Sequence, residues 1–81
     1  MDAETLRMIQ WGRATAPKRI PLAEALVIAR NLKYGPLPTP SDPIPSPEEA
    51  ASIIAEEART SGFTWLTGAC ALQALGDHLH V

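Results

Sequence analysis

Apolar residues recur at helical spacing in several stretches of this chain, most regularly over residues 21–34. At 100° per residue, the apolar side chains of this stretch fall within an arc of about 160°, which is typical of a helix that buries one face. That face comprises Leu22, Ala25, Leu26, Ile28, Ala29 and Leu32. Pro21 suits a first helical turn, and Gly35 suits the position after a helix, where a left-handed backbone closes it. We therefore predict a helix over residues 21–34.

A second helix is predicted over residues 47–60 from the signals at its start. Ser46 can cap this helix, Pro47 suits its first position, and Glu49 can close a capping box onto Ser46. Its inner face consists mostly of small side chains, which allow a neighbouring helix to approach closely. These residues are Ala50, Ala51, Ile54, Ala55 and Ala58. The helix is expected to stop near Gly62.

The last predicted helix, over residues 64–79, is apolar on nearly every side. One broad face contains Trp65, Gly68, Ala69, Ala71, Leu72, Leu75 and Leu79. Leu66 and Cys70 lie on the opposite side, and Thr64 can cap the start. A helix of this composition requires burial on more than one side. Either it is the central element of a bundle, or its second face contacts another chain, which makes a homodimer one hypothesis.

A first helix is predicted over residues 3–14 from a weaker pattern. Leu6 and Ile9 lie about 60° apart around the helix axis and can face the bundle. Gly12 weakens this helix, because glycine in a helix interior costs about 1 kcal/mol relative to alanine.

Met8 and Trp11 form a second apolar pair on this first helix. Trp11 lies about 140–160° from both residues of the inward pair, so a straight helix that buries that pair turns Trp11 outward. Aromatic residues and methionine are enriched at protein interfaces. We therefore predict that Met8, Trp11, Leu66 and Cys70 belong to a partner-binding surface, with core packing of Trp11 as the alternative.

Six of the eight prolines lie between residues 36 and 47, where they exclude a helix or a central strand. We predict an extended, Pro-rich connector over residues 36–46. The chain is thus predicted to be a single all-α domain, residues 1–81, whose four short helices form two helical hairpins joined by this connector. The segment Pro40-Ser41-Asp42-Pro43 matches a PxxP ligand, so a ligand role is the alternative to a spacer.

The length of 81 residues allows one domain. The single cysteine, Cys70, excludes an internal disulfide framework, which is typical of a protein from the reducing cytosol. Asp2 and Glu4 exclude a basic secretory segment at the start. The longest uncharged run, residues 60–76, contains polar side chains and is at the lower limit for a membrane span, so we interpret it as a buried helix. We expect a cytoplasmic protein with no membrane contact.

The net charge of −2 is divided unevenly along the chain. Up to residue 34, six basic residues against three acidic ones give about +3, and the remainder carries about −5. Such a chain can attract a polar partner or its own copy, or it can simply have two differently solvated faces. The basic half supports an alternative function, a DNA-associated regulator that contacts phosphates. Its candidate residues are Arg13, Lys18, Arg19, Arg30 and Lys33.

A DNA-reading helix-turn-helix over residues 54–73 was weighed as a second nucleic-acid interpretation. Ala58 and Gly62 have the spacing expected of its first helix and turn. Gly68 stands where a buried aliphatic residue belongs, and the second helix has no Lys or Arg to contact bases or phosphates. DNA binding is therefore ranked second to protein binding.

Residues that could support catalysis or metal binding do not form a convincing cluster. Asp77, His78 and His80 lie near the C-terminus, but histidines two positions apart point about 200° apart on a helix. Cys70 has only apolar neighbours in sequence, and no phosphate-binding glycine loop is present. We predict no enzyme activity, no cofactor and no metal site. The favoured function is a non-enzymatic accessory, adaptor or inhibitor module that occupies the surface of another protein.

Overall fold

The computed structural model describes residues 2–35, 42–60 and 65–81, and in these ranges it contains four α-helices and no strand. The helices are α1 (Ala3–Thr15), α2 (Leu22–Tyr34), α3 (Pro47–Thr60) and α4 (Trp65–Leu79). The prediction of an all-α bundle of four short helices is confirmed. The predicted features at Gly62 and Thr64, most of the connector and the side chain of Trp65 lie outside the described residues.

The first turns of α1 and α3 are each capped by a side chain. Asp2 Oδ1 accepts a hydrogen bond from the backbone N–H of Thr5 at 2.8 Å, a cap that the sequence analysis missed. Ser46 Oγ accepts a hydrogen bond from the backbone N–H of Glu49 at 3.2 Å, as predicted. The Glu49 carboxylate, predicted to close a capping box, accepts a hydrogen bond from Lys33 Nζ at 2.8 Å. Glu49 therefore joins α3 to α2.

The C-terminal ends of α2 and α4 are closed by residues with positive φ. Gly35 has φ of 99°, and its N–H donates to the Asn31 carbonyl at 2.9 Å, which confirms its predicted closing role. After α4, His80 has φ of 59°, and the N–H of Val81 donates to the Gly76 carbonyl at 3.2 Å. This arrangement satisfies carbonyl groups that the helix leaves without a partner.

α4 is the central helix, and it packs against α1, α2 and α3. Residues 68–76 are all buried. Of the two predicted alternatives, a central helix or a helix whose second face contacts another chain, this burial favours the central helix. α3 and α4 pack against each other as the predicted second hairpin, but no contact joins α1 and α2. Because α4 is small or apolar on nearly every side, it can lie between α1 and α2 and contact both.

The core is built mainly from alanine, so the helices lie close together. Its buried alanines are Ala25, Ala29, Ala50, Ala51, Ala55, Ala69, Ala71 and Ala74. The largest fully buried side chains in the described residues are Ile9, Ile54, Leu72 and Leu75. The predicted inner faces of α2 and α3 both contact this core, and the larger side chains of α2 are half-buried at its edge.

α1 packs against α4 through two glycines. A Cβ atom on Gly12 would lie 2.8 Å from Leu72 Cβ and 2.9 Å from the Ala69 carbonyl oxygen. A Cβ atom on Gly76 would overlap Cγ2 of Ile9. Carbon atoms in favourable contact are about 3.5–4.0 Å apart, so neither glycine has room for a side chain.

The buried face of α1 consists of Thr5, Ile9 and Gly12, whereas Leu6 and Ile9 were predicted to form it. Leu6 is only half-buried. The sequence analysis treated Gly12 as a weakness of the helix, but its missing side chain is what admits α4. A pattern of large apolar residues cannot indicate a face made partly of threonine and glycine.

The chain exposes 4727 Å² of surface. The relation between mass and surface for compact monomers gives about 4,700 Å² for a protein of this size. The total surface is therefore that of a compact monomer of this mass. Because residues 68–76 of α4 are buried within the chain, their apolar composition supplies no separate argument for a homodimer. None of the helices in the described ranges is both long and apolar enough to traverse a bilayer.

Candidate functional site

The side of α4 that faces α2 is not completely filled. A groove of about 170 Å³ lies between α2, α4 and the loop that joins α1 to α2 (residues 16–21), and we call it the apolar groove. Its lining residues are Pro17, Lys18, Ile20, Glu24, Ile28, Leu66, Thr67 and Cys70. Leu66 is 42% exposed, which makes it one of the few large apolar side chains open to solvent in the described residues.

Leu66 and Cys70 were predicted to share an outward face of the last helix. The structure places both in the apolar groove, but Cys70 is only 4% exposed. Cys70 is thus part of the interior and not of an open surface, which corrects the prediction for this residue. The physical reason is that α2 packs over this side of α4, with Ile28 lining the same groove. Leu66, one turn earlier, remains accessible.

A second depression adjoins the apolar groove and is lined mostly by charged and polar side chains. It has a volume of about 380 Å³, and we call it the basic cleft. Its lining residues are Arg13, Ala16, Pro17, Lys18, Arg19, Gln73 and Asp77. Pro17 and Lys18 line both depressions, so the groove and the cleft are adjacent.

Asp77 holds the basic cleft together. Its Oδ1 accepts a hydrogen bond from Arg13 Nη2 at 3.2 Å, and its Oδ2 accepts hydrogen bonds from Arg19 Nη1 at 2.7 Å and from Gln73 Nε2 at 2.5 Å. A carboxylate in the last turn of a helix is disfavoured by the negative end of the helix dipole, and the two arginines offset this effect. Partial burial raises the pKa of Asp77, but hydrogen bonds and charge from Arg19 and Arg13 outweigh it and lower the pKa below its ordinary value.

Gln73 leaves one polar atom of the basic cleft without a partner. The residue is 7% exposed, and its Oε1 atom is buried with no hydrogen-bond donor. Donation from Nε2 to Asp77 fixes the orientation of the amide, because a reversed amide would direct Oε1 at the carboxylate. Lys18 pairs with no acidic residue in the described part of the chain. The cleft therefore combines three cations, one carboxylate and an unsatisfied acceptor.

The five residues of the nucleic-acid alternative do not form a single surface. Arg13, Lys18 and Arg19 converge on the basic cleft. Arg30 is half-buried, and its Nε atom is buried without a hydrogen-bond partner. Lys33 bonds to Glu49 on α3, and its ammonium lies 5.3 Å from the centre of the Tyr34 ring. The helix-turn-helix interpretation conflicts with the burial of residues 68–76, because a recognition helix must be free to enter a groove of DNA.

Part of the charge difference between the two halves of the sequence is neutralised by ion pairs within the chain. Arg13 and Arg19 from the basic half pair with Asp77, and Lys33 pairs with Glu49. These contacts join residues far apart in sequence across the bundle. Part of the attraction that could have acted on a partner therefore acts between the two halves of the same molecule.

Met8 and Trp11, the other predicted partner-binding residues, lie on α1. Both are half-buried and pack against the core, so the prediction that they turn away from the bundle is wrong. The reason is that α1 buries the face of Thr5, Ile9 and Gly12, which brings Met8 toward the core. The structure does not join these two residues to the surface formed by Leu66, and their role in binding a partner stays a prediction.

Gln73, Ile20 and Ile28 line the candidate site but were not among the predicted site residues. The one available signal was Gln73 itself, since a glutamine inside an otherwise apolar helix, four residues before Asp77, indicates a specific hydrogen bond. Ile28 had been assigned to the inner face of α2, and the loop around Ile20 was not interpreted.

Within the described residues, no three side chains of His, Cys, Asp or Glu lie close enough together to hold a metal ion. No family model, curated protein or solved structure shows a significant match to this chain. A functional proposal therefore depends on the geometry and charge of the apolar groove and the basic cleft.

Proposed function

We propose that this chain is a non-enzymatic protein-binding module, an accessory, adaptor or inhibitor that acts by occupying the surface of a partner protein. The observation that carries the proposal is that the apolar groove and the basic cleft lie side by side and share Pro17 and Lys18. The exposed Leu66 lines the groove together with Ile20 and Ile28, and the exposed charged residues Lys18 and Glu24 line it as well. An apolar centre with a polar rim is the usual anatomy of a protein interface.

The size of the apolar groove favours a protein side chain over a substrate. Pockets for drug-sized ligands and cofactors have volumes of about 300–1,000 Å³ and are mostly apolar. The apolar groove has only about 170 Å³, and the basic cleft, with about 380 Å³, is lined mostly by charged and polar side chains. The apolar groove therefore suits one anchor side chain of a partner, of the kind that contributes most to the binding free energy of an interface.

A DNA-associated regulator is supported by fewer observations. Arg13, Lys18 and Arg19 could contact phosphates, but Arg13 and Arg19 already bond to Asp77, which reduces the positive charge that the cleft offers to a phosphate backbone. Arg30 and Lys33 do not line the cleft. These contacts favour a protein partner. The experiment must nevertheless be able to detect binding of nucleic acid.

The experiment is affinity capture from lysate of the native host with the full chain, with and without nuclease, using two matched variants. Leu66→Asp places a charge in the apolar groove, and Ile44→Asp makes the same change at a residue that is 53% exposed and lies outside it. We expect the parent chain and Ile44→Asp to retain one stoichiometric protein. Leu66→Asp should retain at least tenfold less, because a buried unpaired charge at an interface is strongly unfavourable.

Thermal unfolding of both variants provides the control for folding, and both should change stability by less than about 1 kcal/mol because the side chains are exposed. Capture that disappears with nuclease would favour the DNA-associated regulator. Capture that is unaffected by Leu66→Asp would exclude the apolar groove. Light scattering of the purified chain tests the remaining hypothesis, a homodimer, by its molecular mass.

A further inference from the structure

We infer that the basic cleft binds the carboxylate of an acidic side chain, carried by the same segment of the partner protein whose apolar side chain fills the apolar groove. This inference rests on the proposed function and specifies the partner chemically, as an acidic segment with an adjacent aliphatic residue. It assigns the recognition of charge to Arg13, Lys18 and Arg19, and the recognition of a neighbouring N–H donor to Gln73.

The first observation is an excess of positive charge with unused donors. Asp77 neutralises one of the three cations of the cleft, and Lys18 has no acidic partner in the described part of the chain. Each guanidinium carries five N–H donors, and Arg13 and Arg19 each direct one of them at Asp77. An incoming carboxylate would therefore find donors and a net positive site without breaking the existing network.

The second observation is the buried acceptor of Gln73. Its Nε2 and Arg19 Nη1 donate to the same oxygen, Asp77 Oδ2, so the Arg19 guanidinium lies next to the Gln73 amide. The Arg19 side chain is 81% exposed, so a ligand that bonds to its unused donors lies next to the Gln73 amide. A peptide supplies what Oε1 lacks, because every backbone unit except that of proline carries an N–H donor.

The third observation identifies the source of the anion as protein. Pro17 and Lys18 are shared between the cleft and the apolar groove, so a bound carboxylate lies next to a site for an aliphatic side chain. Nucleic acid carries no aliphatic side chains, and single strands are usually bound through exposed aromatic residues on which bases stack. Among the residues whose side chains the structure describes, none that lines either depression is aromatic.

The test is an NMR titration of the full chain with small probes that need no identified partner. The probes are N-acetyl-aspartate N-methylamide, its neutral asparagine analogue and inorganic phosphate. We expect the aspartate probe to give saturable shifts at the Gln73 side-chain amide and at the Nε–H groups of Arg13 and Arg19. The asparagine analogue should bind at least tenfold more weakly.

Two arginine variants make the test specific. Arg19→Gln should weaken binding of the aspartate probe at least fivefold. Arg7→Gln removes an exposed arginine that pairs with Glu4 outside the cleft, and it should leave binding unchanged. Equal losses in the two variants, equal binding of the asparagine analogue, or shifts spread over all lysines and arginines would overturn the inference. Tighter binding of phosphate than of the aspartate probe would overturn the assignment to a carboxylate.

This titration can fail independently of the proposed function. If the aspartate probe binds as expected but the parent chain captures no protein, the carboxylate site stands and the protein-binding proposal is wrong. If capture depends on Leu66 but the aspartate probe gives no saturable shift, the protein-binding proposal stands and the carboxylate site is wrong.

Discussion

The two sides of α4 show how differently one helix can be used. Toward α1, Gly12 and Gly76 bring the backbones together until no space remains for a side chain. Toward α2, Ile28 and Leu66 leave a groove that reaches the edge of the buried Cys70. Both sides of α4 are rich in small residues, so the difference comes from the helix that faces each of them. The closed side stabilises the fold, and the open side is available for binding.

The largest expected effect comes from placing a side chain in the closed interface between α1 and α4. Gly12→Leu should lower the free energy of unfolding by about 3 kcal/mol or more, because even its Cβ would meet Leu72 Cβ and the Ala69 carbonyl oxygen at under 3 Å. The better helix propensity of leucine returns only about 0.8 kcal/mol. Chemical denaturation followed by circular dichroism measures the loss.

Ala14→Leu is the matched control for this change, because residue 14 lies on α1 and is exposed. It should change the free energy of unfolding by less than about 0.5 kcal/mol. A Gly12→Leu variant as stable as the parent would show that α1 and α4 do not approach as closely as described.

A smaller change in the free energy of unfolding is expected when the same substitution is made on the two helices that flank α4. Ile9 is 1% exposed against Gly76, whereas Ile28 is half-buried at the apolar groove. Ile9→Ala should lower the free energy of unfolding by about 2–5 kcal/mol, because it leaves a cavity in a tightly packed region. Ile28→Ala should cost about 1 kcal/mol, since part of its surface is already in water. Equal losses, measured by the same denaturation method, would mean that the groove is as closed as the interface between α1 and α4.

The smallest expected effect concerns the pH dependence of the basic cleft. The pKa of Asp77 is lowered in the folded chain, so the folded state binds fewer protons than the unfolded state in this range. Its stabilising contribution is complete above the ordinary carboxyl pKa of about 4 and is lost as the pH falls through the lowered value. The melting temperature of Asp77→Asn should lie below that of the parent at pH 7, with a difference that disappears at acidic pH. A difference that stays constant down to about pH 2 would contradict the role of this carboxylate.

The helices themselves could be predicted because their signals are local. The period of apolar residues in α2 and the Ser46–Pro47 start of α3 depend on positions within about four residues of one another. The choice of face on α1 could not be predicted in the same way. Gly12 allows close packing only because Leu72 and Ala69 lie opposite it, and those residues are distant in sequence.

The sequence by itself thus determined the four helices, the Ser46 cap of α3, the Gly35 end of α2 and the unequal charge of the two halves. Only the tertiary structure decided that α4 lies in the centre, that Cys70 is covered, and that the basic cleft exists at all. Its key contacts join Arg13 and Arg19 to Asp77 across 64 and 58 residues. Turns and the buried faces of single helices depend on residues close together in the sequence, so local patterns can predict them. Contacts between distant residues depend on how complete helices pack, and no short segment encodes that packing alone.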